Sequence, residues 1–150
     1  MSSGAPPEPA VVFFVDRSVG GVIVPTALRA AGATVITHDE RFPENTPDSV
    51  WLAQAGANAW VVITRDSRLR YKPNEKEALI GSGALVFVLT ADGLTGQQHA
   101  ELAVRALPRM LKIARSHGRP AIFSINSSGV PRQIDLGHKN RRPARDRRRR

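Results

Sequence analysis

Cysteine is absent from this chain of 150 residues, which excludes disulfides, zinc–thiolate centres and a cysteine nucleophile. Long apolar runs are missing as well. The longest is six residues, against the roughly 20 that a helix needs to cross a bilayer. The opening MSSGAPPEPA lacks the basic start and extended apolar segment of a secretory signal. An unprocessed cytoplasmic protein with no membrane partner is expected. No Walker A loop or GxGxxG stretch occurs, so a nucleotide cofactor has little support. The four histidines (His38, His99, His117 and His138) show no metal-ligand spacing. His38, beside Asp39, is a site candidate, and the other three read as surface residues.

What is present fits one folded domain. A chain of this length buries a single core, and a hydrophobic content of 41% lies within the globular range. The net charge of +9 is unevenly placed. Residues 1–136 carry 14 Lys+Arg against 12 Asp+Glu, whereas residues 137–150 carry eight basic side chains and the single acid Asp146. Like charges in such a block repel, so the reading is a solvated, disordered tail. A flexible polycation also suits nucleic acid, because it releases counterions from phosphates. The expected division is a disordered N-terminus over 1–9, a folded domain over 10–132 and a basic disordered tail over 133–150.

Two apolar runs stop at an aspartate. Val11–Val15 leads to Asp16, and Trp60–Ile63 leads through Thr64 and Arg65 to Asp66. Short β-branched and aromatic runs suit strands covered on both faces, as in a parallel sheet. Further strands are expected at 34–37, 85–89 and 121–125. Helices are expected at 24–31 (closed by Gly32), 46–56, 74–80 and 96–116. In the second of these Thr46 is the expected cap, Pro47 holds the first helical position, and Val50, Leu52 and Ala53 face the core. Pro108 should bend the last helix or start a new one. Strands alternating with helices predict an α/β fold with a mostly parallel sheet of four to five strands.

In open sheets of this kind ligands bind beyond the carboxyl ends of the strands. Asp16 and Asp66 are delivered to that edge, and Asp48 starts the helix that enters the strand before Asp66. Carboxylates brought together there would repel one another unless a cation lies between them. Three hard oxygen ligands suit Mg²⁺ or Mn²⁺, which bridge to phosphate oxygens and assist phosphodiester hydrolysis. Arg65, Arg68, Arg70, Lys72 and Lys76 form a row of cations spaced to contact a phosphate backbone. Each acid also has a structural alternative. Asp48 could be a stabilising first-turn acid, Asp66 could cap a turn before Ser67, and Asp39 and Glu40 could be either ligands or solvated loop acids. Asp92 reads as turn chemistry.

The order FFVD followed by TPDSVWLAQAGANAWVVITRDSRLR resembles the PIN-domain ribonucleases, in particular the compact PIN-like proteins grouped with toxins of the VapC type. RYKPNEKEAL resembles the basic loop and helix that follow in this group. The resemblance spans about residues 11–125. It implies a three-layer PIN-like fold and a Mg²⁺- or Mn²⁺-dependent endoribonuclease acting as the toxin of a toxin–antitoxin pair. Asp16, Asp48 and Asp66 would then be the catalytic metal ligands. It also implies RNA as substrate, an antitoxin protein as partner, and a homodimer as a further possibility.

Two departures stand out. The family's further acid between the first two motif positions does not lie between Arg17 and His38, so either Asp39 or Glu40 supplies it or this chain lacks it. Arg17 stands where related members carry an acid, and it would pair with Asp16 or contact a phosphate. The rival from another class is a non-catalytic PIN-like module that binds RNA or a protein through the same surface. A phosphoacceptor domain would need a lysine near the fifth strand, where this chain offers only Arg119-Pro120.

Overall fold

Six strands form one sheet in the computed structural model, which describes residues 10–136. The strands are β1 (Val12–Val15), β2 (Thr34–Thr37), β3 (Val61–Thr64), β4 (Leu85–Leu89), β5 (Ala121–Ile125) and β6 (Pro131–Ile134). Their spatial order is β2-β1-β3-β4-β5-β6. The first five run parallel, and β6 pairs antiparallel with β5. The sheet therefore has one strand more than the four to five expected. The sixth was missed because PRQI is a polar, half-exposed edge strand that opens with proline. It also crosses the boundary expected at residue 132. Segments 1–9 and 137–150, which include His138 and the arginine run, lie outside the described residues.

Side chains alternate along each strand and so sort onto two faces. Phe13 and Val15 of β1, Val61 and Ile63 of β3, and Leu85, Phe87 and Leu89 of β4 lie in one cluster. Helices α1 (Ile23–Ala30) and α5 (Gly96–Ser116) cover it with Val24, Leu28, Ala103, Ala106 and Leu107. Phe14, Val62, Val86 and Val88 point the other way, beneath Trp51, Leu52 and Ala55 of α3 (Asp48–Ala57) and Leu79 of α4 (Pro73–Ser82). The result is the expected three-layer α/β arrangement. Phe14 anchors the second face, stacked on Trp60 at 5.6 Å and against Trp51 at 5.3 Å between ring centroids. Truncating such a buried ring costs on the order of 3–5 kcal/mol.

Local chemistry sets the ends of the elements. Gly32, at φ +98°, closes α1, and Gly83 ends α4 in the left-handed region that favours glycine. Capping boxes start α5 (Thr95 with Gln98) and the four-residue helix α2 (His38–Arg41, Thr37 with Glu40). Gly56 is where α3 meets α4: a Cβ there would run into the side chain and carbonyl of Ser82.

Three expectations change. α3 begins at Asp48, with Pro47 before it and no side-chain cap; the Thr46 hydroxyl instead donates to the Pro43 carbonyl at 2.7 Å. The buried face of α3 is Trp51, Leu52 and Ala55, while Val50 is 47% exposed. Helix α5 spans Gly96–Ser116 with exposed Pro108 inside it, so no second helix starts there, and Ala106, Leu107 and Met110 pack inward.

Candidate active site

The chain passes from β1 to β2 on one side of β1 and returns to β3 on the other. The crevice between the carboxyl ends of β1 and β3 is thus the switch point where open α/β sheets place ligands. Asp16 lies at the end of β1, and its backbone N–H donates to the Ile63 carbonyl at 3.0 Å. The residue as a whole is only 8% exposed. The Oδ2 atom accepts from Ser18 Oγ at 2.7 Å and from Thr64 Oγ1 at 2.8 Å. The same two hydroxyls take backbone donors, Arg65 N–H on Ser18 at 2.9 Å and Asp66 N–H on Thr64 at 3.0 Å. A hydroxyl network therefore joins the two strand ends and fixes the first carboxylate. Sequence reasoning assigned no role to Ser18 or Thr64; the only signal was the threonine within the ITRD element.

Asp66 Oδ1 accepts from the Arg68 N–H at 3.0 Å, and Oδ2 accepts from Lys72 Nζ at 3.1 Å. The turn role weighed for this acid is thus present, alongside a half-buried ion pair. Asp48 Oδ1 accepts the Trp51 indole N–H at 3.0 Å. Its carboxyl is pushed above the ordinary range, mainly by burial, and the charges of Asp16 and Asp66 add to this effect. The Trp51 hydrogen bond and the charge of Lys72 oppose the shift. The charges of Asp16 at the strand end and Asp66 in the loop are thus felt at Asp48 on the helix start.

The remaining candidates separate. Glu40 serves the α2 capping box and forms an ion pair with Arg29 at 3.0 Å, and its carboxyl is held below the ordinary range, chiefly by the Thr37 backbone N–H. Arg17 pairs with Asp39 at 3.3 Å and with Glu44 at 3.4 Å, in place of the expected pairing with Asp16. Loop 65–72 is pinned by Leu69, which is fully buried. Arg65 and Arg68 are exposed, while Arg70, Lys72 and Lys76 are half-buried. Arg70 donates to the Asp135 carbonyl at 2.8 Å.

His38 is buried among Phe14, Phe42 and Trp51. Its Nδ1 has no hydrogen-bond partner and lies 3.9 Å from Asp39. His99 is also buried, contrary to its reading as a surface residue, because it sits on the inner side of α5.

The donor chemistry at this edge suits a hard divalent cation: three carboxylates flanked by hydroxyls, with no thiolate or histidine set. Among the described residues, however, no three acidic or histidine side chains are already gathered as a metal cage. Lys72 and Arg17 instead supply internal counter-charges to Asp66 and Asp39. Among the described residues no helix is long and apolar enough to cross a membrane.

Comparison with known proteins supports the resemblance read from the motifs. A family model described as a PIN like domain matches residues 11–91, more than half of the chain. A curated protein of Mycobacterium tuberculosis (strain ATCC 25618 / H37Rv), named "Putative ribonuclease VapC45", is 30% identical over 125 residues, covering 81% of this chain and 90% of that protein. No solved structure matches the chain significantly.

Proposed function

Since this chain belongs to the PIN-like domain family, we propose that it is a Mg²⁺- or Mn²⁺-dependent endoribonuclease, acting in the cytoplasm as the toxin of a toxin–antitoxin pair. The observation that carries this reading is the position of Asp16 at the end of β1 and of Asp66 just past β3, on either side of the β1/β3 switch point. Asp16, Asp48 and Asp66 would hold the cation, and Asp39 would join them on leaving Arg17. When bound, the cation supplies Lewis-acid and water-activating chemistry for phosphodiester hydrolysis.

The chain's own residues provide the rest. Ser18 and Thr64 keep the Asp16 carboxylate in one orientation through Oδ2. Lys72 steadies Asp66. Arg65 and Arg68, exposed beside the acids, would bind the phosphates flanking the scissile bond, with Arg17, Arg70 and Lys76 further along the strand. Glu40 is left to its structural work at the start of α2. An antitoxin protein and a second copy of the chain are the proposed protein partners.

A second reading, the non-catalytic RNA- or protein-binding module, is favoured by the Lys72–Asp66 and Arg17–Asp39 pairs, which already neutralise two of the acids. One experiment separates the two. Purified protein is incubated with mixed single-stranded RNAs in Mg²⁺, Mn²⁺ or EDTA, and its melting is followed with and without Mn²⁺. Cleavage that needs metal, with a Mn²⁺-induced rise in melting temperature that Asp16→Asn abolishes, supports the nuclease. Undiminished cleavage in EDTA sinks the metal mechanism, and RNA binding without cleavage under any metal leaves the module.

A further inference from the structure

Seven of the eight aromatic side chains are buried or half-buried, and the exception is Tyr71, which is 66% exposed. A phenol ring left in water forgoes the burial that the others obtain, so its position calls for a reason. Its surroundings are specific. The Arg70 guanidinium lies over the ring, 4.5 Å from the centroid. The same guanidinium is tied to the Asp135 carbonyl at 2.8 Å, which limits its freedom to swing away. Leu69, fully buried, fixes the backbone just before them. The next residue, Lys72, reaches Asp66 at the acidic edge. A flat, exposed ring is thus backed by a tethered cation and held one residue from a side chain that touches the candidate site.

We propose that Tyr71 and Arg70 form a stacking platform for one unpaired base of the RNA, next to the phosphate held at the acidic edge. This deepens the nuclease reading and rests on it. A base laid on the ring gains π-stacking without regard to its hydrogen-bonding pattern, and the cation behind the ring strengthens the interaction. Stacking needs a base free of its duplex partner, so the platform selects single strands and loops over double-stranded RNA. Lysine and arginine binding to phosphate, in contrast, does not distinguish a base from its absence.

The test uses the full chain, its Tyr71→Ala and Tyr71→Phe variants, and Arg68→Ala as a phosphate-binding control. Fluorescence anisotropy is read with a labelled single-stranded RNA 12-mer in EDTA, together with a series of the same oligomer carrying one abasic position at a time. Tyr71 is exposed, so all variants should melt like the parent. Tyr71→Ala should weaken binding roughly 5- to 100-fold, the range for removal of one base stack, and Tyr71→Phe should retain it. One abasic position should weaken the parent by a similar factor and add nothing in Tyr71→Ala, as expected of two changes that remove the same interaction. The salt dependence should be unchanged in Tyr71→Ala and shallower in Arg68→Ala, because only the latter gives up a phosphate.

Parent-like binding by Tyr71→Ala, or equal abasic penalties in parent and variant, would overturn the platform. If the parent cleaves RNA while these results hold, only the platform fails. If the parent neither binds nor cleaves any RNA, both the platform and the nuclease reading fail.

Discussion

Thr64 joins the two strand ends of the site, and its replacement by valine isolates what a single hydroxyl contributes. The side chain is fully buried, and valine fills the same volume, so packing changes little. Two hydrogen bonds disappear with the hydroxyl, together with its 3.2 Å contact to Ser18 Oγ. The variant no longer donates to Asp16 Oδ2, a hydrogen bond to a carboxylate worth about 1.5–3 kcal/mol. The Asp66 N–H is left without its acceptor, and an orphaned donor costs about 1–3 kcal/mol when buried, less here because Asp66 is partly wetted. Because Ser18 remains on the same oxygen, the two effects overlap, and about 2–3 kcal/mol is the expected total. In a domain of this size that lowers the melting temperature by roughly 6–11 °C. Thr64→Ser keeps both hydrogen bonds and removes one buried methyl, about 1 kcal/mol. Thermal and urea melts of the parent and both variants provide the check. A valine variant within about 0.5 kcal/mol of the parent, or a serine variant less stable than the valine one, would refute the bridging role.

Two further predictions follow from the charges. The Asp48 carboxyl is raised mainly by burial, so its contribution to stability is present below its unfolded value and is lost as pH climbs through the folded one. At neutral pH it is therefore a net cost. Asp48→Asn, which keeps an oxygen for Trp51, should be at least as stable as the parent at pH 7, with the advantage shrinking towards pH 4 in melts across pH; an advantage that grows on acidification would contradict the assignment. Deleting residues 137–150 should leave the melting temperature unchanged and flatten the salt dependence of RNA binding by about 0.7 for each phosphate no longer neutralised; an unaltered slope would mean that the arginines do not touch the strand.

The sheet was legible because its central strands are covered on both faces and so read as unbroken apolar runs, with β2, β4 and β5 found at their observed ends. The placement of Asp16 at the carboxyl end of β1 and of Asp66 just beyond β3 followed from the strand–helix order alone. The inward face of α3 was not legible, because Val50, Trp51, Leu52, Ala53 and Ala55 are apolar almost all the way round the helix. The hydrogen bond that orients it, from the Trp51 indole to Asp48, needs coordinates. The partners of Arg17 were misjudged for a similar reason: the chain folds α2 and the loop after it back towards residue 17, a proximity that sequence distance hides. The hydroxyls that hold Asp16 escaped notice because serine and threonine beside an acid have no distinctive spacing.

The two free margins of the sheet have a consequence for self-association. An exposed strand edge is a template on which a second chain can pair and from which aggregates grow. On the β2 side the Val35 carbonyl is already taken by Arg29 at 2.7 Å. On the β6 side the strand is four residues long, opens with Pro131 and carries Arg132 and Gln133 exposed. Among the described residues both margins thus carry features that oppose the addition of a strand, which favours contact through the helical layers wherever two copies of this chain meet.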